Sequence, residues 1–245
     1  MVLAAGRGER LRPLTIHRPK ALCPVGDAPL VDLAIARLVP FVDAVAVNVH
    51  HGREAMEAHL AGRVHLSIEA DEPLGTAGGI AHLQPWLAGR AALVVNADVW
   101  CPGGLSPLVE GWDGERTRLL LVGEDRLTPH SQVAGALLPW SAVVPLQPVP
   151  SGLWEVSWRA ALDEGRIEVV RHDGPFLDCG TPADYLAANL EASGGASVVG
   201  AGAKVEGELL RSVVWPGAVV RAGEHLVDAI RHDRGGTVLV RARAG

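Results

Sequence analysis

Apolar and polar positions along the first hundred residues fall into two alternating kinds of pattern. "MVLAA" (1–5), "AVAVNVH" (44–50), "VHLSIEA" (64–70) and "AALVVNADV" (91–99) are short and mostly apolar, as strands in a buried sheet are. Between them, "PLVDLAIARL" (29–38) sets Leu30, Leu33, Ala34 and Leu38 at helical spacing. "REAMEAHL" (53–60) and "TAGGIAHLQPWL" (76–87) also read as helices. Beyond residue 117 the pattern turns to strands at "RLLLVGE", "VAGALLP" and "SAVVPL". A helix "WEVSWRAALDEG", a strand "IEVVRHD" and a helix "TPADYLAANLEA" follow. This alternation predicts an α/β fold, a mainly parallel sheet with helices on both faces.

The pattern changes again at "SGGASVVG". From there "VVGAGAKVEG" and "SVVWPGAVVRAGEHL" repeat Val or Leu at intervals near six, with Gly and Ala between. That period suits a short β-helix, whose small residues turn the corners; an irregular β tail is the alternative. So short a coil needs a second surface, either the main domain or a partner subunit.

Composition narrows the function. The 245 residues carry a net charge of −6, which argues against a general nucleic-acid binder. No apolar stretch approaches the roughly 20 residues of a membrane helix, and the first residues lack the pattern of a signal peptide, so a cytoplasmic protein is expected. Cys23, Cys101 and Cys179 are odd in number and widely spaced, as reduced thiols are. Lys20 and Lys204 are the only lysines. Where almost every cation is arginine, a retained lysine points to a site that wants a compact point charge.

The stretch "LAAGRGERLRPLTIHRPKALCPV" (3–25) concentrates positive charge after a strand and two glycines. It fails the dinucleotide fingerprint of an oxidoreductase because Leu11 stands where the third glycine belongs. Gly6 and Gly8 instead let backbone amides approach phosphate oxygens, while Arg10 and Lys20 neutralise them. The whole stretch resembles the signature of the sugar-1-phosphate nucleotidyltransferases, LAAGxGxRLxPLTxxxPKxLxPV, at every specified position. "EPLGTAGGI" (72–80), "VVNADVW" (94–100, with Ala97 for the usual glycine) and "FLDCGTPADYLAAN" (176–189) are similar to further elements of that family. "VNVHH" (47–51) leans towards the branch of mannose-1-phosphate guanylyltransferases and N-acetylmuramate-1-phosphate uridylyltransferases.

The resemblance implies a Rossmann-like nucleotide-diphospho-sugar transferase domain over 1–193 and a left-handed hexapeptide-repeat β-helix with a tail over 194–245. It implies a transferase that joins a nucleoside triphosphate, GTP or UTP, to a sugar-1-phosphate and releases pyrophosphate. Arg10 and Lys20 are then catalytic. Leu3, Ala4, Ala5, Gly6, Gly8, Gly75, Thr76, Ala77 and Gly78 hold the nucleotide, with Thr76 alternatively the cap of the helix behind it. Asp98 and Asp178 bind Mg2+, although Asp178 has a rival reading as a helix cap. Gly135 lies under the sugar. Arg7, Arg12 and Arg18 read as solvated or rim residues, and His50 and His51 as solvated or loop-fixing. The Glu-Lys-Pro element that holds the sugar phosphate in the family is absent, which leaves Arg159 or Arg171 to replace it. That absence also motivates an alternative, a nucleotide-sugar-binding regulatory subunit with weak or no turnover. Neither nucleic acid nor membrane is an expected partner; a homo-oligomer formed through the β-helix is.

Overall fold

The computed structural model describes residues 1–240; the last five residues of the expected tail lie outside the described residues. The chain divides into two compact units. One comprises Met1–Arg7, Leu33–Ala97 and Cys101–Phe176; the other comprises Gly8–Asp32, Asp98–Trp100 and Leu177–Gly245.

The first unit is built on a seven-stranded sheet. Its strands run in the order Ile167–His172, Thr117–Val122, Val133–Leu138, Ala92–Asn96, Val2–Leu3, Ala46–Val49 and His65–Ile68. Only Val133–Leu138 runs antiparallel to its neighbours; every other pair is parallel. The central strands are apolar because helices and loops cover them. Ile80, Leu83, Leu119, Leu138 and Leu153 belong to one buried cluster.

Helices form at Leu30–Leu38, Arg53–Leu60 and Pro182–Ala192 where the periodicity places them. Three expected elements differ. "TAGGIAHLQPWL" forms Gly75–His82 and then a separate turn Gln84–Leu87, because Pro85 has no N–H to continue the first ladder. "SAVVPL" is no strand: Trp140–Val143 is a helical turn. Gln84 Nε2 donates to Val143 O at 2.9 Å and to Leu146 O at 2.9 Å, and so holds that turn from a distant segment. The "WEVSWRAALDEG" helix opens as a π-turn, Trp154–Trp158, before its α-helical part, Arg159–Asp163. Among the described residues, no helix is long and apolar enough to cross a membrane.

In the second unit, residues 198–231 form parallel strand pairs. Val198 pairs with Val213 and Val213 with Ile230; Lys204 pairs with Val219, and Glu208 with His225. Three columns of parallel strands, each returning after one circuit of the chain, are the arrangement expected of a short β-coil.

Candidate functional site

Five of the residues singled out in the sequence come together in the second unit. Gly8 has φ +62, and a Cβ there would stand 2.9 Å from Lys20 Cβ, so only glycine lets the loop close on the lysine. Thr15 Oγ1 donates to Gly8 O at 2.7 Å and fixes that closure. Pro19 leads into the short 3-10 turn Lys20–Leu22, which turns the Lys20 side chain inward. Lys20 is only 7% exposed. It is therefore not a solvated surface lysine.

Asp98 and Asp178 reach Lys20 from a two-stranded ribbon. Val99–Trp100 pairs antiparallel with Leu177–Asp178, and Cys179 N donates to Asp98 O at 3.0 Å, so the two aspartates lie on neighbouring strands. Lys20 Nζ donates to Asp98 Oδ2 at 2.9 Å and to Asp178 Oδ1 at 3.5 Å. Arg10 completes the group at 3.3 Å from Asp178 Oδ2. A Cβ on Gly180 would meet the Arg10 guanidinium at 2.8 Å and Asp178 Oδ2 at 2.9 Å, so this glycine makes room for the pair. Asp178 does not cap the following helix: Thr181 does, accepting from Asp184 N at 3.2 Å. The lysine lies beneath carboxylates that remain 46% and 37% exposed, so the anionic oxygens face outward over a buried cation.

Arg18 departs from the rim role expected of it. Its guanidinium stands 4.6 Å over the Trp215 ring and pairs with Asp233 at 2.9 Å. Burial pushes the Cys23 and Cys179 thiols up to about 12, which leaves them protonated and inert at neutral pH.

The first unit holds the other expected residues. Leu3, Thr76 and Gly135 line a cavity of about 280 Å³ together with Asn96, Glu155 and Trp158. A Cβ on Gly135 would meet Leu105 and Leu108 at 3.1 Å, so the glycine also lets the turn Ser106–Val109 pack on its strand. Thr76 is not the cap of its own helix, which begins at Gly75; its Oγ1 accepts from Leu153 N at 2.9 Å. Ala77 N donates to Ser151 O and Ser151 N to Leu74 O, each at 3.0 Å. A Cβ on Gly75 would stand 2.6 Å from Ser151 O, and one on Gly78 would press into Val149 O. The space these two glycines leave is thus filled by the chain's own segment 149–151. Gly78→Ala should therefore destabilise the protein by about 1–3 kcal/mol, because the opposing atom is backbone and cannot rotate away; urea unfolding measures it.

Neither candidate replacement for the missing lysine lines the cavity. Arg159 opens the helix after the π-turn, and Arg171 is held by Asp173 at 2.6 Å and Asp125 at 3.3 Å. Sequence reading missed the π-turn, Asn96 and Glu155. It also missed a buried polar pair, Asn48 and Glu69, whose signal was a polar residue inside an apolar strand pattern.

Residues 1–126, half of the chain, match the family model described as nucleotidyl transferase. The chain belongs to that family. It is 38% identical over 135 residues to the N-acetylmuramate alpha-1-phosphate uridylyltransferase of Caulobacter vibrioides, covering 50% of this chain and 56% of that protein. The mannose-1-phosphate guanylyltransferase of Mycobacterium tuberculosis is 26% identical over 278 residues, covering 98% of this chain and 74% of the relative. This family member spans about half the length of the first curated relatives it matches. In fold it is similar to a crystal structure of mannose-1-phosphate geranyltransferase from Thermus thermophilus, with TM-score 0.69 at 18% identity over 98% of this chain and 93% of that one. A UDP-glucose pyrophosphorylase from Acinetobacter baumanii gives TM-score 0.64 at 17% identity, covering 78% and 91%.

Proposed function

We propose that this protein condenses a nucleoside triphosphate with a sugar-1-phosphate to give a nucleotide sugar and pyrophosphate. The observation that carries the reading is the Lys20 ammonium buried against Asp98 and Asp178, with Arg10 beside them. An oxygen of the sugar phosphate forms a bond to the α-phosphorus as the bond from that phosphorus to the bridging oxygen breaks. The nucleophile is already anionic, so no general base is needed; the work is charge neutralisation and positioning. Lys20 serves the α-phosphate and Arg10 the leaving phosphates, while Leu3 to Gly6 and Gly8 offer the loop backbone.

The two carboxylates fit Mg2+. They are hard oxygen donors on adjacent strands that already share a cation, and two of them suffice when phosphate and water complete the shell. Among the described residues no group of three or more His, Cys, Asp or Glu could hold a metal ion. Bound there, Mg2+ supplies further positive charge to the phosphates.

The cavity suits the sugar: Glu155 and Asn96 offer polar groups to hydroxyls, Trp154 and Trp158 offer apolar faces, and Gly135 lies in its wall. Arg171 already has two carboxylate partners, so Arg159 is the stronger candidate for the sugar phosphate. Gly75 and Thr76 remain exposed and are proposed to meet the base, whereas Ala77 and Gly78 are buried against the segment 149–151; the relatives point to GTP or UTP with mannose-1-phosphate or N-acetylmuramate α-1-phosphate. The same proposal places the protein in the cytoplasm. It divides the chain into a transferase domain, 1–193, and a short left-handed β-helix followed by a tail, 194–245, the β-helix serving as a surface between copies.

The test is a screen of nucleoside triphosphates against sugar-1-phosphates with magnesium, reading pyrophosphate. Release should require both substrates, stop with EDTA, and fall by at least about 100-fold in Asp98→Ala. Nucleotide-sugar binding without release from any pair would overturn the proposed turnover.

A further inference from the structure

Glu69 is a carboxylate only 3% exposed, and both of its oxygens accept from neutral groups. Asn48 Nδ2 donates to Oε1 at 2.7 Å, and Leu74 N donates to Oε2 at 2.8 Å. Asn48 is as buried, and its other amide atom, Oδ1, accepts from Ala4 N at 2.7 Å. His50 Nδ1 meets Glu69 O at 2.8 Å and steadies the backbone beneath. The pair is roofed by the helix Gly75–His82: a Cβ on Gly79 would stand 2.9 Å from both Asn48 Nδ2 and Glu69 Oε1, so a glycine there is required for the helix to sit on it.

Burying a carboxylate is costly, and two apolar side chains would join a strand to a helix with less penalty. What an apolar pair would not supply is directed acceptors for two loop amides. One amide, Ala4, follows the strand Val2–Leu3 and opens the glycine-bearing segment; the other, Leu74, is the last residue before the helix at Gly75. Both lie beyond the carboxyl ends of parallel strands, where sheets of this kind bind ligands.

We propose that Asn48 and Glu69 are positioning residues that fix the spacing between the segment at Ala4 and the turn at Leu74, so that a nucleoside triphosphate meets the two as one preformed surface. This rests on the transferase reading above. The relay has a fixed polarity: Ala4 N–H to Asn48, Asn48 to Glu69, and Leu74 N–H to Glu69. Glu69→Gln keeps the shape but sets an amide donor against another donor. Adding Asn48→Asp to it replaces the opposing donor with a carboxylate. The introduced amide then donates to that carboxylate, and every bond is restored with the negative charge moved to the neighbouring strand.

Two measurements test this. With GTP and UTP as probes, Glu69→Gln should raise KM for the nucleotide about tenfold and leave KM for the sugar-1-phosphate within about twofold; the double variant should recover the nucleotide KM. Equal changes in both KM values, or none, would overturn the proposal. Amide hydrogen exchange on the nucleotide-free protein gives an activity-independent reading. Glu69→Gln should speed exchange at both Ala4 and Leu74 by about tenfold, with recovery in the double variant. Faster exchange at Leu74 alone would show the two segments uncoupled and overturn it. Coupled exchange in a protein that releases no pyrophosphate with any substrate pair would support the pair and count against the transferase reading.

Discussion

Lys20→Met is expected to lower kcat/KM for pyrophosphate release by about 10³-fold while changing stability little. Methionine reproduces the length of the stem and fills the same buried space beside Gly8, but it removes the ammonium between Asp98 and Asp178. The carboxylates left behind are both more than one-third exposed, so water takes over part of what the lysine did for them. The variant should therefore fold and fail to react. Lys20→Arg should not restore activity: a planar guanidinium is larger than an ammonium and donates in a fork, whereas the space between the two aspartates accepts a single point charge. Steady-state kinetics beside thermal unfolding separate the effects. A Lys20→Met protein that keeps a tenth of the wild-type rate would remove the lysine from the chemistry.

Lys20 stood out because its residue type is so rare in this chain, and its burial shows that it is not a solvated surface charge. The central strands were legible for a related reason: a run such as "ALVVN" can be stable only where both faces are covered. What the sequence hid was held by contacts distant along the chain. "SAVVPL" has the β-branched composition of a strand, yet the Gln84 amide, some sixty residues earlier, captures its carbonyls as a turn. Gly75 and Gly78 pointed to a flat ligand because small residues leave room, and nothing local says that Val149 and Ser151 take that room. The Asn48–Glu69 pair was visible as two polar residues in apolar strands, but its meaning depends on which amides the fold brings to it.

Trp215→Ala should be the most destabilising single change in the second unit, by about 3–5 kcal/mol and about 10 °C in Tm. The indole is 1% exposed and does more than fill space. Its Nε1 donates to the Tyr185 hydroxyl at 3.0 Å, and that hydroxyl donates to Pro24 O. Burial pushes the Tyr185 phenol well above its ordinary value, so the proton stays in place and the relay keeps its direction. Arg18 lies over the same ring, two residues before Lys20. Trp215 therefore supports, through one side chain, both ends of the segment 18–24 that carries the lysine. Trp215→Phe, which keeps most of the packing and loses the Nε1–H bond, should cost about 1–2 kcal/mol and leave kcat near wild type. Trp215→Ala, assayed well below its own Tm, should lose about tenfold in kcat/KM because the lysine's seat is loosened rather than its charge removed. If the alanine variant unfolds at a lower temperature but turns over at the wild-type rate while folded, the indole stabilises the unit without organising the chemistry.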